Sequence, residues 1–198
     1  MAEPTTLTLR GCADAEGALH AVGPLRHLDF LLHRNQLPLN LCDIESLTEL
    51  RLDNCPDLVS LPVRLPALRH LQELTIRGCP LLTALPDSLC YLPQLQNLYV
   101  GECAVAALPQ QLGLLQTLQC ISLVHLPALT ALPESLTALA NLHTLCVVDC
   151  RALTTLPDDW RRLRSLQALT LKGVGITEWP LTLATLYDRH CVLESYAQ

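Results

Sequence analysis

Residues Leu71–Gln94 read LQELTIRGCPLLTALPDSLCYLPQ, and the rest of the chain falls into register around them. Leu47–His70 (LTELRLDNCPDLVSLPVRLPALRH) comes before. Leu95–Thr117 (LQNLYVGECAVAALPQQLGLLQT), Leu118–Asn141 (LQCISLVHLPALTALPESLTALAN), Leu142–Ser165 (LHTLCVVDCRALTTLPDDWRRLRS) and Leu166 to about Asp188 come after. A 22-residue version starts at Leu25. The common frame is LxxLxLxxCxxLxxLPxxLxxLxx, with a period of 23 or 24 residues. A fixed period of this length marks a solenoid, in which each unit stacks on the next.

Within the frame, Leu74-Thr75-Ile76 alternates apolar and polar residues, as does Leu50/Leu52, Leu98/Val100, Ile121/Leu123, Leu145/Val147 and Leu169/Leu171. Alternation predicts a short strand with one buried face. Cys55, Cys79, Cys103 and Cys150 then recur where the chain must leave the strand, with Leu126 and Val174 in that slot in two units. A Leu-Pro step follows at 61–62, 85–86, 108–109, 132–133 and 156–157, with Trp179-Pro180 as a variant. Proline is tolerated at the first helical position, where its missing N–H would be unpaired anyway. Asp87, Glu134 and Asp158 come next, and an acid suits the positive end of a short helical turn. Leu89/Leu92, Leu112/Leu115, Leu136/Leu139 and Trp160/Leu163 recur at helical spacing. No unit can bury its own apolar face, so stacking closes the core.

On these motifs the chain resembles leucine-rich-repeat proteins over nearly its whole length. The cysteine slot and the L-x-x-L-P-x-x-L-x-x-L run look like the repeats of plant intracellular immune receptors and the recognition domains of bacterial type III effectors. The ending from Leu186 to Glu194 is similar to the way such effector domains close. The resemblance implies an α/β, right-handed leucine-rich-repeat solenoid. A curved parallel β-sheet lies on its concave face, with short helical or 3-10 turns on the convex face. It also implies that the ladder cysteines bond to backbone inside the turn.

The formal charge of −6 and sequence pI near 5.6 argue against nucleic acid, which requires a basic stripe. With Lys172 the single lysine, anionic membrane surfaces are disfavoured too. No apolar run reaches the eighteen residues of a membrane span. The opening MAEPTTLTLRGCADAE lacks the basic and apolar regions of a secretory signal peptide. The expected location is the cytoplasm or, for an effector, a host cytosol reached without such a signal. The ten cysteines are expected as reduced thiols, since Cys12 and four others fit ladder slots.

One domain spans 1–198: a degenerate N-terminal rung or cap over 1–24, seven repeats over 25–188, and an edge strand with a tail over 189–198. In the first repeat His33 replaces the ladder cysteine, and Cys191–Ser195 is expected as the last strand. Stacked at about 5 Å per parallel strand, seven rungs and the two partial ones span roughly 35–40 Å.

Outward strand positions can be read from the frame. Arg51, Asp53, Glu73 and Arg77 make the N-terminal half of the concave face charged, with Asp53 and Arg77 positioned to pair across neighbouring rungs. Tyr99, Val124, Val148 and the thiols of Cys120 and Cys146 make the C-terminal half apolar, with Ser122 among them on the same face. Aromatic and arginine anchors beside an apolar strip fit a protein interface. Cys120 and Cys146 face outward on adjacent rungs but two positions out of register, roughly 8 Å apart from strand spacing and rise. That is too far for a disulfide.

The histidines occupy unrelated offsets, and no zinc spacing, phosphate loop or nucleophile elbow is present. Cys12-Ala13-Asp14 and Cys55-Pro56-Asp57 match the Cys-x-Asp triplet of effector ubiquitin ligases, but both cysteines fall in ladder slots. The expected function is therefore non-catalytic protein–protein interaction through the concave face, without cofactor or metal, by a monomer. The alternative is the substrate-recruiting part of a ubiquitin ligase whose catalytic domain is absent from this chain.

Overall fold

The computed structural model describes residues 6–10, 19, 25–31, 35–189 and 192–196. They form a leucine-rich-repeat solenoid built on one parallel sheet with strand order β1 to β9 in sequence order. The strands are β1 (Thr6–Arg10), β2 (His27–Leu31), β3 (Glu49–Asp53), β4 (Glu73–Arg77), β5 (Asn97–Gly101), β6 (Cys120–Val124), β7 (Thr144–Val148), β8 (Ala168–Lys172) and β9 (Val192–Tyr196). On the far side of each rung lies a 3-10 turn: Leu39–Asp43, Leu65–Ala67, Asp87–Tyr91, Leu112–Leu114, Glu134–Ala138, Trp160–Arg162 and Leu181–Arg189. β1 pairs in parallel with β2, so a strand lies within the segment 1–24. β9 starts one residue later than the 191–195 expected from sequence. Cys12, His33 and Cys191 lie outside the described residues.

The strands form because every second residue is drawn into the core. Leu50, Leu52, Leu74, Ile76, Leu98, Val100, Ile121, Leu123, Leu145 and Val147 are all buried, and the residues between them face out. The other frame leucines close the interior behind the sheet, including Leu58, Leu65, Leu68 and Leu71 and their counterparts in later rungs. Rungs are also tied together by backbone. The carbonyl of Gln72 accepts from both Gln96 N and Asn97 N, and Gln96, Gln119 and His143 carbonyls do the same for the rung that follows each.

The proline role differs from the sequence expectation. Pro38, Pro86 and Pro133 sit one residue before their 3-10 turns, in extended backbone, not at the first helical position. The carbonyls of Pro38, Pro62, Pro86, Pro109, Pro133 and Pro180 each accept the N–H three residues on. Proline thus supplies a fixed φ and a turn-closing acceptor, and its missing donor goes unnoticed because the preceding extended chain needs none there. Asp87 and Glu134 open their turns as expected, whereas Asp158 lies outside Trp160–Arg162.

The ladder cysteines are buried and unbridged, and their thiols donate to backbone carbonyls. Cys103 reaches Gly101 O at 3.0 Å, Cys55 reaches Phe30 O at 3.4 Å and Cys79 reaches Arg77 O at 3.5 Å. Just before this slot, Asn54, Gly78, Glu102, His125, Asp149 and Gly173 all have φ between 52 and 64°. Five of their N–H groups donate to the last strand residue of the next rung, at 2.8–3.2 Å. The left-handed turn is needed for that bond, and only glycine, asparagine and aspartate adopt it cheaply. At 78 and 173 an added Cβ would also crowd the side chain at the same position of the preceding rung. A Cβ there would lie 2.7 Å from Asn54 Oδ1 and 2.4 Å from Asp149 Oδ1, respectively.

Candidate functional site

Register sorts the outward side chains into three rows that cross the strands. One row runs Glu49, Glu73, Asn97, Cys120, Thr144, Ala168. The middle row runs Arg51, Thr75, Tyr99, Ser122, Cys146, Thr170, and the third Asp53, Arg77, Gly101, Val124, Val148, Lys172. The nine residues expected on the concave face thus lie on one surface, Glu73 in the first row and the others in the second and third. The left-handed residues 54, 78, 102, 125, 149 and 173 form a ridge along the rim of the third row.

Arg77 does not turn to Asp53 as expected. Its Nε and Nη2 both donate to Glu102 Oε1 at 3.0 Å. Asp53 is in register with Arg77, but the left-handed turn at residue 102 throws the glutamate back over the sheet toward the guanidinium. The hydrogen bond and charge of Glu102 push the Arg77 pKa upward, and Asp53 adds only a lesser attraction. Both side chains are exposed, so solvent screens the pair and it orients the guanidinium more than it stabilises the fold. Arg51 pairs with Glu49 of its own strand, and His27 with the same carboxylate. Asp53 accepts from the Asn54 amide at 3.4 Å, and Glu73 from the Asn97 amide at 3.2 Å.

The apolar half is organised by a residue that sequence reasoning passed over. Gly101 occupies the row of Val124 and Val148, and the Tyr99 ring lies across it. A Cβ at Gly101 would sit 2.8 Å from Tyr99 Oη and 3.0 Å from Cε1. Tyr99 therefore lies flat along the sheet, filling the gap in the third row and joining Val124 and Val148 in one strip. Its signal in sequence is the glycine two residues after an outward aromatic on the same strand face. Next to the strip, His125 Nδ1 stands 3.5 Å from Asp149 Oδ2. These two, with Pro127 and Arg151, line an open depression of about 380 Å³.

Cys120 and Cys146 are half-buried on this face and diagonal to each other, since Cys120 is in register with Thr144 and Ser122 with Cys146. Burial, then the neighbouring Cys146, raises the Cys120 pKa. Cys90, on the opposite side of its rung, is pushed up to about 11, chiefly by burial. Cys79 is raised further, by thiol hydrogen bonds to Cys103 and Cys55 and then by burial. Because a thiol must be reachable as well as ionised to react, we expect iodoacetamide to modify Cys120 and Cys146 first among the described cysteines, with Cys120 speeding up as pH rises. Cys55, Cys79, Cys103 and Cys150 should react only after denaturation. Peptide mass mapping checks this, and native labelling of Cys79 as fast as that of Cys120 would disprove it.

Cys55, which opens the Cys-Pro-Asp triplet, is 1% exposed and donates to Phe30 O, an arrangement unsuited to a nucleophile. Among the described residues no group of three His, Cys, Asp or Glu could hold a metal ion. No described helix is long and apolar enough to cross a membrane. The two frame tryptophans part ways: Trp160 is fully buried and Trp179 is 41% exposed.

Comparison of the fold with solved structures decides the family. The leucine-rich-repeat domain of the type III effector XopL matches 96% of this chain and 76% of its own length, with a TM-score of 0.81 and 25% identity. The chain is a leucine-rich-repeat protein. A leucine-rich repeat protein from Bacteroides eggerthii matches 70% of this chain and 24% of its own, with 18% identity and a TM-score of 0.57, a likeness of fold alone. Neither the family models nor the curated proteins compared with the chain give a match. Leucine-rich-repeat architecture supports a protein-interaction module and resembles that of bacterial effectors.

Proposed function

We propose that this leucine-rich-repeat protein is a monomeric, non-catalytic recognition module that binds a partner protein through the outer, concave face of its sheet. The observation that carries the reading is the continuous strip of Tyr99, Val124 and Val148. It spans β5–β7, with the Arg77–Glu102 pair at its β4 end and the His125–Asp149 pair along the rim of the sheet. Interfaces are anchored by such aromatic and apolar centres inside a polar rim. Likeness to the XopL repeat domain supports a more specific version: recognition by a bacterial effector in the host cytosol.

The test compares affinity capture by the intact protein with capture by a variant carrying Arg77→Ala, Tyr99→Ala and Val124→Ala. Circular dichroism confirms that both are folded. A captured partner should be lost from the variant, an affinity drop of about tenfold or more. Gly101→Ala alone should act in the same direction by lifting the Tyr99 ring off the sheet. A partner held equally by all three proteins would sink the concave-face reading and move the contact to the turns or loops.

A further inference from the structure

The charges of the chain are unevenly placed along the solenoid. Residues 78–150, which include all of β5, β6 and β7, contain no lysine or arginine. Carboxylates persist there, with Glu102 and Asp149 on the rim of the sheet face. The two arginines on the N-terminal side of this face are already engaged, Arg51 by Glu49 and Arg77 by Glu102. Asp53 and Glu73 accept from the neutral amides of Asn54 and Asn97, and Asp149 faces the His125 imidazole. The face therefore offers an apolar centre with Asp53 and Glu73 toward its N-terminal end and Glu102 and Asp149 along its rim. Its outward rows carry no arginine or lysine between Arg77 and Lys172, while Arg151 lies beside Asp149 off the strands.

We propose that the partner segment seated on this face is cationic and amphipathic. Its apolar side chains rest on the Tyr99–Val124–Val148 strip, and its lysine or arginine side chains meet Asp53, Glu73 and Asp149. Charge complementarity selects this occupant. A negatively charged segment would meet Asp53, Glu73 and Asp149, and like charges brought together across an interface oppose binding strongly. A second copy of the chain would bring the same carboxylates and the same formal charge of −6. The inference rests on the sheet face being the contact surface and adds the chemistry of what contacts it.

The probes are two fluorescein-labelled peptides of equal length, one alternating leucine and lysine, the other leucine and glutamate. Their binding to the full chain is measured by fluorescence anisotropy. The leucine–lysine peptide should bind and the leucine–glutamate peptide should not. Asp53→Lys with Glu73→Lys, both on the sheet face, should weaken the first peptide by about tenfold. Asp87→Lys with Asp158→Lys, on the opposite side of the rungs, changes the net charge equally and should weaken it by less than about twofold. Equal loss in the two double variants would reduce the effect to net charge and overturn the proposal. Binding of the leucine–glutamate peptide that is lost in Tyr99→Ala would also overturn it, while leaving the sheet face as the contact surface. Binding of either peptide unaffected by Tyr99→Ala would remove the sheet-face reading as well.

Discussion

Replacing Trp160 with alanine lowers the free energy of unfolding by about 3–5 kcal/mol, the cost of a large core side chain turned into a cavity. Trp160 stands where other rungs carry Leu89, Leu112 and Leu136, and it is fully buried. Its indole Nε1 finds no hydrogen-bond acceptor among the described residues. A buried donor left unpaired costs about 1–3 kcal/mol. Trp160→Leu removes that donor while keeping much of the volume, so it should destabilise by less than half as much as alanine. Urea unfolding followed by circular dichroism measures both. A leucine variant as unstable as the alanine variant would show that the ring's volume, not the balance of volume against an unpaired N–H, sets the cost.

The second large effect is expected at Gly113. A Cβ there would lie 2.2 Å from the carbonyl oxygen of Ser135 and 3.0 Å from its carbon, both backbone atoms of the next rung. The Gly113 N–H also donates to Ser135 Oγ at 3.1 Å, fixing the two turns against each other. The backbone of a stacked rung cannot rotate aside as a side chain can. Gly113→Ala should therefore cost about 1–3 kcal/mol, the range for overpacking a filled interior. Gly101→Ala is the matched control, because the three atoms nearest its new methyl all belong to the Tyr99 ring, which can swing into solvent. It should therefore cost clearly less than Gly113→Ala, although Gly101 is itself buried beneath the ring. Equal destabilisation by the two alanines, in the same urea titration, would contradict this distinction between backbone and side-chain neighbours.

The two glycines also mark how far the residues could be read without coordinates. Buried positions were legible because each recurs every 23 or 24 residues: a leucine at 50, 74, 98 and 145 with isoleucine at 121 has one explanation, a stacked core. The outward rows followed from the same count, so Arg51, Asp53, Glu73, Arg77, Tyr99, Ser122, Val124, Cys146 and Val148 could be set on one face. Side-chain pairing could not be read this way. Register puts Arg77 beside Asp53, yet the guanidinium goes to Glu102, which lies beyond the next strand. That choice depends on the positive φ at 102, and a glutamate does not advertise a left-handed turn.

By itself, then, the amino-acid sequence determined the period, the solenoid, the buried frame and the residues that face outward. These depend only on which positions are apolar and how often they return. Tertiary structure decided how those outward residues combine: Tyr99 flattened over Gly101, Arg77 held by Glu102, His125 beside Asp149, and a rim of left-handed turns in every rung from Asn54 to Gly173. Each depends on a direction in space and on a neighbour about 24 residues away, and no local pattern of residue types encodes either.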